Sequence, residues 1–118
     1  MDPLASEAPM IRLLLTLGQE RREFLMEKPD ITIGRSSGNT VRIPDNRLSR
    51  RHARIERDDL GFLLTDLRSA NGTWLNHRRV ASERLLQGDE IRVGRTVIHV
   101  LALRSPEAVE TATESTPA

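Results

Sequence analysis

The sequence predicts an all-β fold, arranged as a sandwich or a barrel. Short runs of alternating apolar and polar residues follow one another through most of the chain. Glycine, proline, asparagine and aspartate separate these runs at regular intervals, which is the pattern of short strands joined by turns. No segment of useful length repeats apolar residues at helical spacing, and residues 83–86 have room for one helical turn at most. We therefore expect strands and loops with almost no helix.

In the first half of the chain, turn-forming residues mark where the strands end. Apolar residues alternate along the first strand, and a turn follows at residues 18–22. Pro29 precedes the pair Ile31 and Ile33, which share one strand face. Pro44 stops the fourth strand, because proline has no backbone N–H to give to a sheet. The predicted strands are residues 11–17, 24–26, 31–33 and 41–43.

The second half repeats this pattern with several shorter segments. Residues 58–61 form a turn that contains two aspartates and a glycine. Asn76-His77 separates two short pieces, and Gly94-Arg95 forms the last turn. The predicted strands are residues 53–55, 62–64, 73–75, 79–80, 91–93 and 96–103.

Length and composition indicate one folded domain between two tails. A chain of 118 residues suits a single domain with a core of its own. Residues 1–9 and 105–118 are rich in small and polar residues and in proline, so we predict disordered tails there, the second one acidic. The folded domain is then expected to cover residues 10–104. A formal charge of +1 argues against a general polyanion binder.

The composition also bears on the compartment. The chain has no cysteine, which excludes a disulfide framework and a cysteine-based metal site. Its N-terminus lacks the basic and apolar segments of a signal peptide, and its apolar runs are too short to span a bilayer. We therefore expect no membrane insertion and a cytoplasmic location, and the arginine-rich composition fits a bacterial regulator.

Three loops combine residues that suit an anionic group. They are residues 34–39, 47–52 and 66–73. The first places Arg35 directly after Gly34, and the second supplies the Ser49 hydroxyl. The third contains Asn71 within a strong turn signal. An arginine, a hydroxyl and amide groups together would suit a phosphorylated side chain, which carries roughly two negative charges and three acceptor oxygens.

Taken in order, these motifs resemble the forkhead-associated (FHA) domain family. The resemblance is carried by Gly34-Arg35, by Ser49-Arg50-Arg51-His52, and by Asn71-Gly72-Thr73 followed by Asn76, and it extends over residues 10–104. It implies a β-sandwich of about eleven short, mostly antiparallel strands, whose loops at one end bind phosphothreonine peptides. The partners it implies are phosphothreonine-containing proteins of Ser/Thr kinase signalling, either kinases or their substrates.

The resemblance also implies roles for single residues. Arg35 and Ser49 match residues that contact the phosphate, and Arg50 matches a position that contacts the phosphate or the peptide backbone. Asn71 matches the asparagine that holds the peptide main chain. Arg47 matches a position that reaches side chains after the phosphothreonine, so an acidic residue is expected at the third following position.

Further residues are assigned to specificity and to support of the site. Ser36 and Ala70 join Arg47 in the specificity group, and Ala70 stands where some members have a threonine, so that side-chain contact is unavailable. The resemblance implies that His52 braces the binding loop through internal hydrogen bonds. The residues assigned to structural support are Gly34, His52, Gly72 and Thr73.

An enzymatic function is not expected. A hydrolase would need Ser49 as nucleophile and His52 as base, with Asp45 or Asp66 to orient the histidine. The chain has no strained nucleophile turn, and residues three apart on an extended segment point to different sides. The three histidines lie far apart without ligand spacing, so no metal and no cofactor are expected; they are His52, His77 and His99.

Two other binding functions are considered. A nucleic-acid site would use a basic patch of arginines, but the three aromatic residues are too few for a stacking platform. The patch would consist of Arg47, Arg50, Arg51, Arg54 and Arg57, and the aromatic residues are Phe24, Phe62 and Trp74. No nucleic-acid partner is therefore expected. The stronger alternative is an FHA-like scaffold that binds partners through a sheet face without any phosphate.

The C-terminal tail offers a partner within the chain itself. Thr111 has Glu114 at the third following position, which is the acidic spacing expected for Arg47. If a kinase phosphorylated Thr111, the domain could bind its own tail or that of a neighbouring molecule.

Overall fold

The computed structural model describes residues 9–104, which form eleven strands in two sheets. No helix occurs within this range. The strands are β1 (Met10–Leu17), β2 (Glu20–Met26), β3 (Asp30–Gly34), β4 (Val41–Arg42), β5 (Ala53–Asp58), β6 (Gly61–Asp66), β7 (Thr73–Leu75), β8 (Arg78–Val80), β9 (Ser82–Arg84), β10 (Glu90–Val93) and β11 (Thr96–Arg104). The prediction of an all-β fold with about eleven strands is confirmed.

The strands are divided between a six-stranded and a five-stranded sheet. The six-stranded sheet has the order β2-β1-β11-β10-β7-β8, and the five-stranded sheet has the order β4-β3-β5-β6-β9. Described neighbours pair antiparallel except β3 and β4, which run parallel. The connections β3–β4, β4–β5 and β6–β7 all leave the same end of the five-stranded sheet, which we call the loop end.

The core forms where the apolar faces of the two sheets meet. Residues of β1 alternate between buried and accessible positions because successive strand residues face opposite sides. Fully buried residues of the five-stranded sheet include Ile31, Ile33 and Ile55. Burial of such side chains contributes about 1.5–3 kcal/mol each and holds the sheets together as the frame for the loops.

The structure corrects the prediction for residues 83–86. This segment does not form a helical turn, because Ser82–Arg84 pairs with β6 as strand β9. The Leu85 N–H then donates to the Phe62 carbonyl at 2.9 Å, and the Leu85 side chain is buried in the core. Pairing with a neighbouring strand therefore decides the conformation of a segment whose own pattern is too short to do so.

Two turn predictions also differ in detail. The first turn is tighter than predicted, since β2 begins at Glu20 and not after residue 22. Strand β4 ends at Arg42, one residue before the predicted end. The predicted tails lie outside the described residues, except Pro9, and the limits of the domain stay a prediction. Within the described range, no helix is long and apolar enough to cross a membrane.

Candidate functional site

The β3–β4 loop is joined to the β4–β5 loop by backbone hydrogen bonds. The Arg35 N–H donates to the Ser49 carbonyl at 3.1 Å, and the Ser36 N–H donates to the Arg50 carbonyl at 3.2 Å. Gly34 permits this close approach, because a Cβ at that position would overlap the Arg50 carbonyl oxygen. The glycine before the arginine therefore sets the distance between the two loops.

Arg35 is exposed, and its side chain is partly oriented by the neighbouring loop. Its Nε–H donates to the Leu48 carbonyl at 3.1 Å. The terminal nitrogens make no hydrogen bond or ion pair within residues 9–104, so four N–H donors face no protein acceptor. An arginine fixed at Nε with open terminal nitrogens is suited to bidentate capture of a phosphate.

The β6–β7 loop is joined to Ser49 and Arg47 of the β4–β5 loop through Ala70 and Asn71. The Ser49 hydroxyl oxygen accepts the Ala70 N–H at 3.0 Å, so its own hydrogen can still donate. The Asn71 Nδ2 donates to the Arg47 carbonyl at 2.8 Å, so its Oδ1 can still accept an N–H. These two bonds place a hydroxyl donor and an amide acceptor on the surface that also holds Arg35.

His52 is fully buried, and its ring joins two of the loops. Its Nδ1 accepts the Ser49 N–H at 3.1 Å, so Nε2 carries the hydrogen and donates to the Gly72 carbonyl at 2.8 Å. Both ring nitrogens are therefore bonded to backbone groups. His52 makes no hydrogen bond to the Ser49 hydroxyl among the described contacts, and the geometry of a nucleophile and its base is not present there.

Asp66 holds the β6–β7 loop in a compact turn. Its carboxylate accepts the hydroxyls of Ser69 and Thr73 and the Ser69 N–H. The Ser69 hydroxyl oxygen in turn accepts the Gly72 N–H at 2.9 Å. Burial raises the pKa of Asp66, but the bonds from Ser69 and Thr73 outweigh it, so this pKa lies below its ordinary value. The ionised carboxylate shapes the segment that carries Asn71.

Asp45 has a corresponding role between the β4–β5 loop and the last hairpin. It is 4% exposed and accepts the N–H groups of Arg47 and Arg95, at 2.9 and 2.7 Å. It also accepts the Thr96 hydroxyl at 2.9 Å. Burial raises the pKa of Asp45, but these donors more than offset it, and the pKa falls below its ordinary value. The carboxylate thereby fixes the backbone of Arg47 beside the β10–β11 turn.

A cleft of about 280 Å³ lies beside Arg47. Two cations, Arg47 and Arg95, and one carboxylate, Asp45, line it together with Leu17, Pro44 and Asn46. A larger groove of about 570 Å³ lies between strands β8 and β9 and contains none of the predicted site residues. Of the predicted site residues, Arg47 is the one that lines the smaller cleft.

Charge is distributed unevenly over the arginines that could form a nucleic-acid patch. Arg54 pairs with Asp30 at 2.8 Å, and the Arg57 guanidinium donates to the Glu27 carbonyl. At the opposite end of the sandwich, Arg84 pairs with Asp58 and lowers the pKa of this carboxyl to about 2. The side chains of Arg47, Arg50 and Arg51 make no ion pair within residues 9–104. Among these five arginines, the three without an ion pair are therefore those of the β4–β5 loop.

Asn76, which is one of the residues that carry the family resemblance, lies away from the predicted site residues. Asn76 and His77 form the β7–β8 turn at the opposite end, with positive φ angles of 49° and 72°. The Asn76 side chain bonds Asp89 and the Glu90 N–H there. His99 faces Glu90 on the six-stranded sheet, far from His52. No group of metal-ligating residues is found in the described part of the chain.

Sequence reasoning missed the residue that connects the first two loops most directly. Asn39 Nδ2 donates to the carbonyls of Ser36 and Arg50, at 2.8 and 2.7 Å. The side-chain bonds of Asp45 and Asp66 that fix the loop backbones were missed in the same way. All three are residues that often bond to loop backbone, but their sequence gives no sign of which carbonyl or N–H they will meet.

Fold and loops together define a β-sandwich module with a polar site at one end, and comparisons with known proteins identify its family. The FHA domain family model matches residues 31–94, which is more than half of the chain. A solved structure from a study of phosphothreonine-dependent FHA domain interactions is 37% identical, with a TM-score of 0.71, and the match covers 77% of this chain and 94% of that one. The chain belongs to the FHA domain family, and the predicted resemblance is confirmed.

Two curated relatives come from Corynebacterium and Mycobacterium. The oxoglutarate dehydrogenase inhibitor of Corynebacterium diphtheriae is 39% identical over 72 residues, which are 61% of this chain and 50% of that protein. The FHA domain-containing protein FhaA of Mycobacterium tuberculosis is 40% identical over 95 residues, which are 80% of this chain and 18% of that protein. The chain therefore spans half or less of these relatives.

Proposed function

We propose that this FHA domain binds phosphothreonine-containing segments of partner proteins in Ser/Thr kinase signalling. One observation carries the proposal: Arg35, Ser49 and Asn71 come from three different loops, and hydrogen bonds between those loops hold them on one surface. The first two keep open donors, and the third keeps an open acceptor. The similarity to a domain studied for phosphothreonine-dependent interactions supports the same function.

The open groups match a phosphorylated peptide in both charge and hydrogen bonding. The Arg35 terminal nitrogens and the Ser49 hydroxyl would donate to phosphate oxygens, and Arg50 would add a second cation. The Asn71 Oδ1 would accept a backbone N–H of the peptide. Hydrogen bonds to a charged group contribute about 1.5–3 kcal/mol each, so a few of them are enough for micromolar binding.

We propose further that Arg47 selects the third residue after the phosphothreonine. Its backbone is fixed by Asp45 and Asn71, and its side chain lines the cleft together with Arg95. Two cations beside one cleft favour an acidic residue there. Ser36 and Ala70 flank the same surface through their loops, and their small side chains leave room for the peptide.

The proposed role is binding and not catalysis. His52 uses both ring nitrogens to hold loop backbone, and Asp66 bonds to Ser69 and Thr73. A regulatory module of this kind also agrees with the relatives, one of which is an enzyme inhibitor by name. We propose a cytoplasmic location, where Ser/Thr kinases and their substrates would meet it.

The test is calorimetric titration with one peptide sequence in four forms: phosphothreonine, phosphoserine, phosphotyrosine and unphosphorylated threonine. We expect binding to the phosphothreonine form alone, with affinity reduced at least about tenfold by Arg35→Ala or Ser49→Ala. Arg57→Ala is the matched control, because this arginine lies at the opposite end of β5. Equal binding of the unphosphorylated peptide would contradict the proposal and favour the phosphate-independent scaffold.

The position of the end of β11 limits how the tail could act as a partner. Thr96 begins β11 at the loop end, where its hydroxyl bonds Asp45. Arg104 ends the strand about 27 Å away, given a rise of about 3.4 Å per residue. The seven residues from Arg104 to Thr111 span at most about 25 Å when fully extended. We therefore propose that a phosphorylated Thr111 would bind the loops of a neighbouring molecule and not those of its own chain.

A further inference from the structure

A row of outward-facing residues crosses the six-stranded sheet next to the loop end. Strand pairing places one residue of each strand in this row, in the order Arg21, Thr16, Val97, Arg92, Trp74 and Arg79. With strands about 4.8 Å apart, the row is about 24 Å long. We call these six residues the arginine row.

The row carries three positive charges and no negative one. Arg21, Arg79 and Arg92 are exposed, and none of them makes an ion pair within residues 9–104. Arg92 lies over the Trp74 ring, with its guanidinium carbon 5.3 Å from the ring centre. The row therefore presents cations against an apolar surface made by Val97 and Trp74.

The acidic residues on the same face of the sheet lie one row further from the loops than the arginine row. Each of them lies near an arginine or a histidine. Glu23 lies 3.6 Å from Arg12, and Glu90 lies 3.7 Å from His99. Glu20 precedes Arg21 at the start of β2 and pairs with Leu17, which belongs to the inward-facing row. Glu20 is therefore not part of the outward-facing row. Positive charge on this face is thus concentrated at the edge that adjoins the loops.

One hydrogen bond and two close approaches at glycines make the row continuous with the candidate peptide site. The Trp74 Nε1–H donates to the Asn71 carbonyl at 3.4 Å, and a Cβ on Gly72 would lie 2.7 Å from the Arg79 Nε. On the other side, a Cβ on Gly94 would lie 3.0 Å from the Arg47 Cβ. Gly94 belongs to the turn between β10 and β11, the strands of Arg92 and Val97.

We propose that the arginine row is a second contact surface, which binds an acidic segment of the same phosphoprotein beyond the residues held by the loops. This inference rests on the proposed phosphothreonine function. Arg47 is expected to meet the third residue after the phosphothreonine, and its Cβ lies beside Gly94, in the turn between the strands of Arg92 and Val97. The acidic segment therefore follows the phosphothreonine, starting a few residues after that third position.

The charge and the surface explain why an acidic peptide suits this row. Each carboxylate of an extended segment can approach an arginine that has no other anionic partner. The aliphatic parts of the peptide can pack on Trp74 and Val97. Exposed ion pairs are individually weak, so we expect a combined gain in affinity of about three- to tenfold, which decreases as salt is added.

The experiment compares three phosphothreonine peptides by calorimetry. One is a short peptide that ends at the third residue after the phosphothreonine. The second adds a segment with four glutamates, and the third adds a neutral segment of equal length made of serine and glycine. We expect the acidic extension alone to raise the affinity. The double variant Arg21→Glu, Arg92→Glu should abolish that gain and leave binding of the short peptide unchanged.

Lys28→Glu is the control, since it makes the same kind of charge reversal at one position in the exposed β2–β3 connection at the opposite end. The Lys28→Glu variant should still bind the peptide with the acidic extension more tightly than the short peptide. The second surface is overturned if the acidic and neutral extensions bind with equal affinity, or if the gain persists in the double variant. Binding of the short peptide would then still support the phosphothreonine site. Failure of the short peptide to bind overturns both proposals. The row is assigned to nucleic acid instead if the glutamate extension gives no gain in affinity and the unchanged chain binds duplex DNA that the double variant does not bind.

Discussion

At the scale of single residues, glycines and short polar side chains decide the geometry of the loops. Gly34 is an example, because its lack of a Cβ lets the Arg50 carbonyl approach the β3–β4 loop. The Asn39 Nδ2 donates to that same carbonyl and also lies close to Gly34. The proposed hydrogen bonds from Arg35 to a phosphate depend on these neighbours, because they hold the Arg35 backbone.

Replacement of Gly34 should therefore damage both stability and binding. Gly34→Ala forces the β3–β4 and β4–β5 loops apart, so we expect the free energy of unfolding to fall by about 2–3 kcal/mol. The affinity for a phosphothreonine peptide should fall as well, because the Arg35 and Ser36 N–H bonds are lost. Denaturant unfolding and calorimetry measure the two effects.

Gly38→Ala provides a control in the same loop. A Cβ at Gly38 would meet only the Ser36 hydroxyl oxygen, at 3.9 Å, which is an ordinary contact distance. We expect little change in stability for this variant. If both alanine variants unfold alike, the close approach at Gly34 is not the cause.

At the scale of elements, buried carboxylates connect loops that are distant in sequence. Asp45 joins the β4–β5 loop to the β10–β11 turn, about fifty residues later. Asp66 closes the β6–β7 loop on itself through Ser69 and Thr73. The conformation of the binding loops thus depends on these carboxylates staying ionised.

This dependence predicts how stability changes with pH. The folded pKa values of Asp45 and Asp66 lie below their ordinary values. A lowered folded pKa means that the unfolded chain binds the proton more readily, so the stabilisation is complete above about pH 4 and is lost as the pH falls further. We expect Asp45→Asn to lower the free energy of unfolding at neutral pH by about 2 kcal/mol, since its NH₂ group would face an N–H or hydroxyl donor.

Thermal unfolding followed between pH 7 and pH 2 tests this expectation. Asp45→Asn should show a weaker loss of stability with acid than the unchanged chain. Asp59→Asn serves as the control, because Asp59 is exposed in the β5–β6 turn. A parallel acid dependence for Asp45→Asn and the unchanged chain would show that Asp45 is not responsible.

At the scale of the whole molecule, the sandwich separates the binding loops from the C-terminal end of the last strand. Strand β11 starts beside Asp45 and ends in register with Met10 at the opposite end of the sheet. A segment that follows Arg104 therefore starts far from Arg35. Binding between molecules follows from this direction more readily than binding within one chain.

The prediction is that phosphorylation of Thr111 produces concentration-dependent association. Analytical ultracentrifugation of the phosphorylated chain should show complexes larger than a monomer, and Arg35→Ala should remove them. Thr111→Ala, treated with the same kinase, controls for phosphorylation elsewhere. If the phosphorylated chain stays monomeric and the NMR signals of Arg35 change to the same extent at every concentration, the tail reaches the loops of its own chain.

Local sequence patterns were enough to predict the all-β class, the positions of most strands and the three loops of the proposed site. Alternation with period two and turn residues are local signals, so Ile31 and Ile33 or Pro44 can be interpreted without knowledge of their neighbours. Motif order was enough to indicate the family, and it brought Arg35, Ser49 and Asn71 into one hypothesis.

Only the tertiary structure decided which groups actually meet. Ser82–Arg84 is a strand because β6 offers it a partner, and Asn76 lies away from the loops although it follows the motif closely in sequence. The bonds of Asn39 and Asp45, and the alignment of Arg21, Arg92 and Arg79 across three strands, depend on register between distant segments. Register is set by the packing of the whole core, which no single stretch of sequence contains.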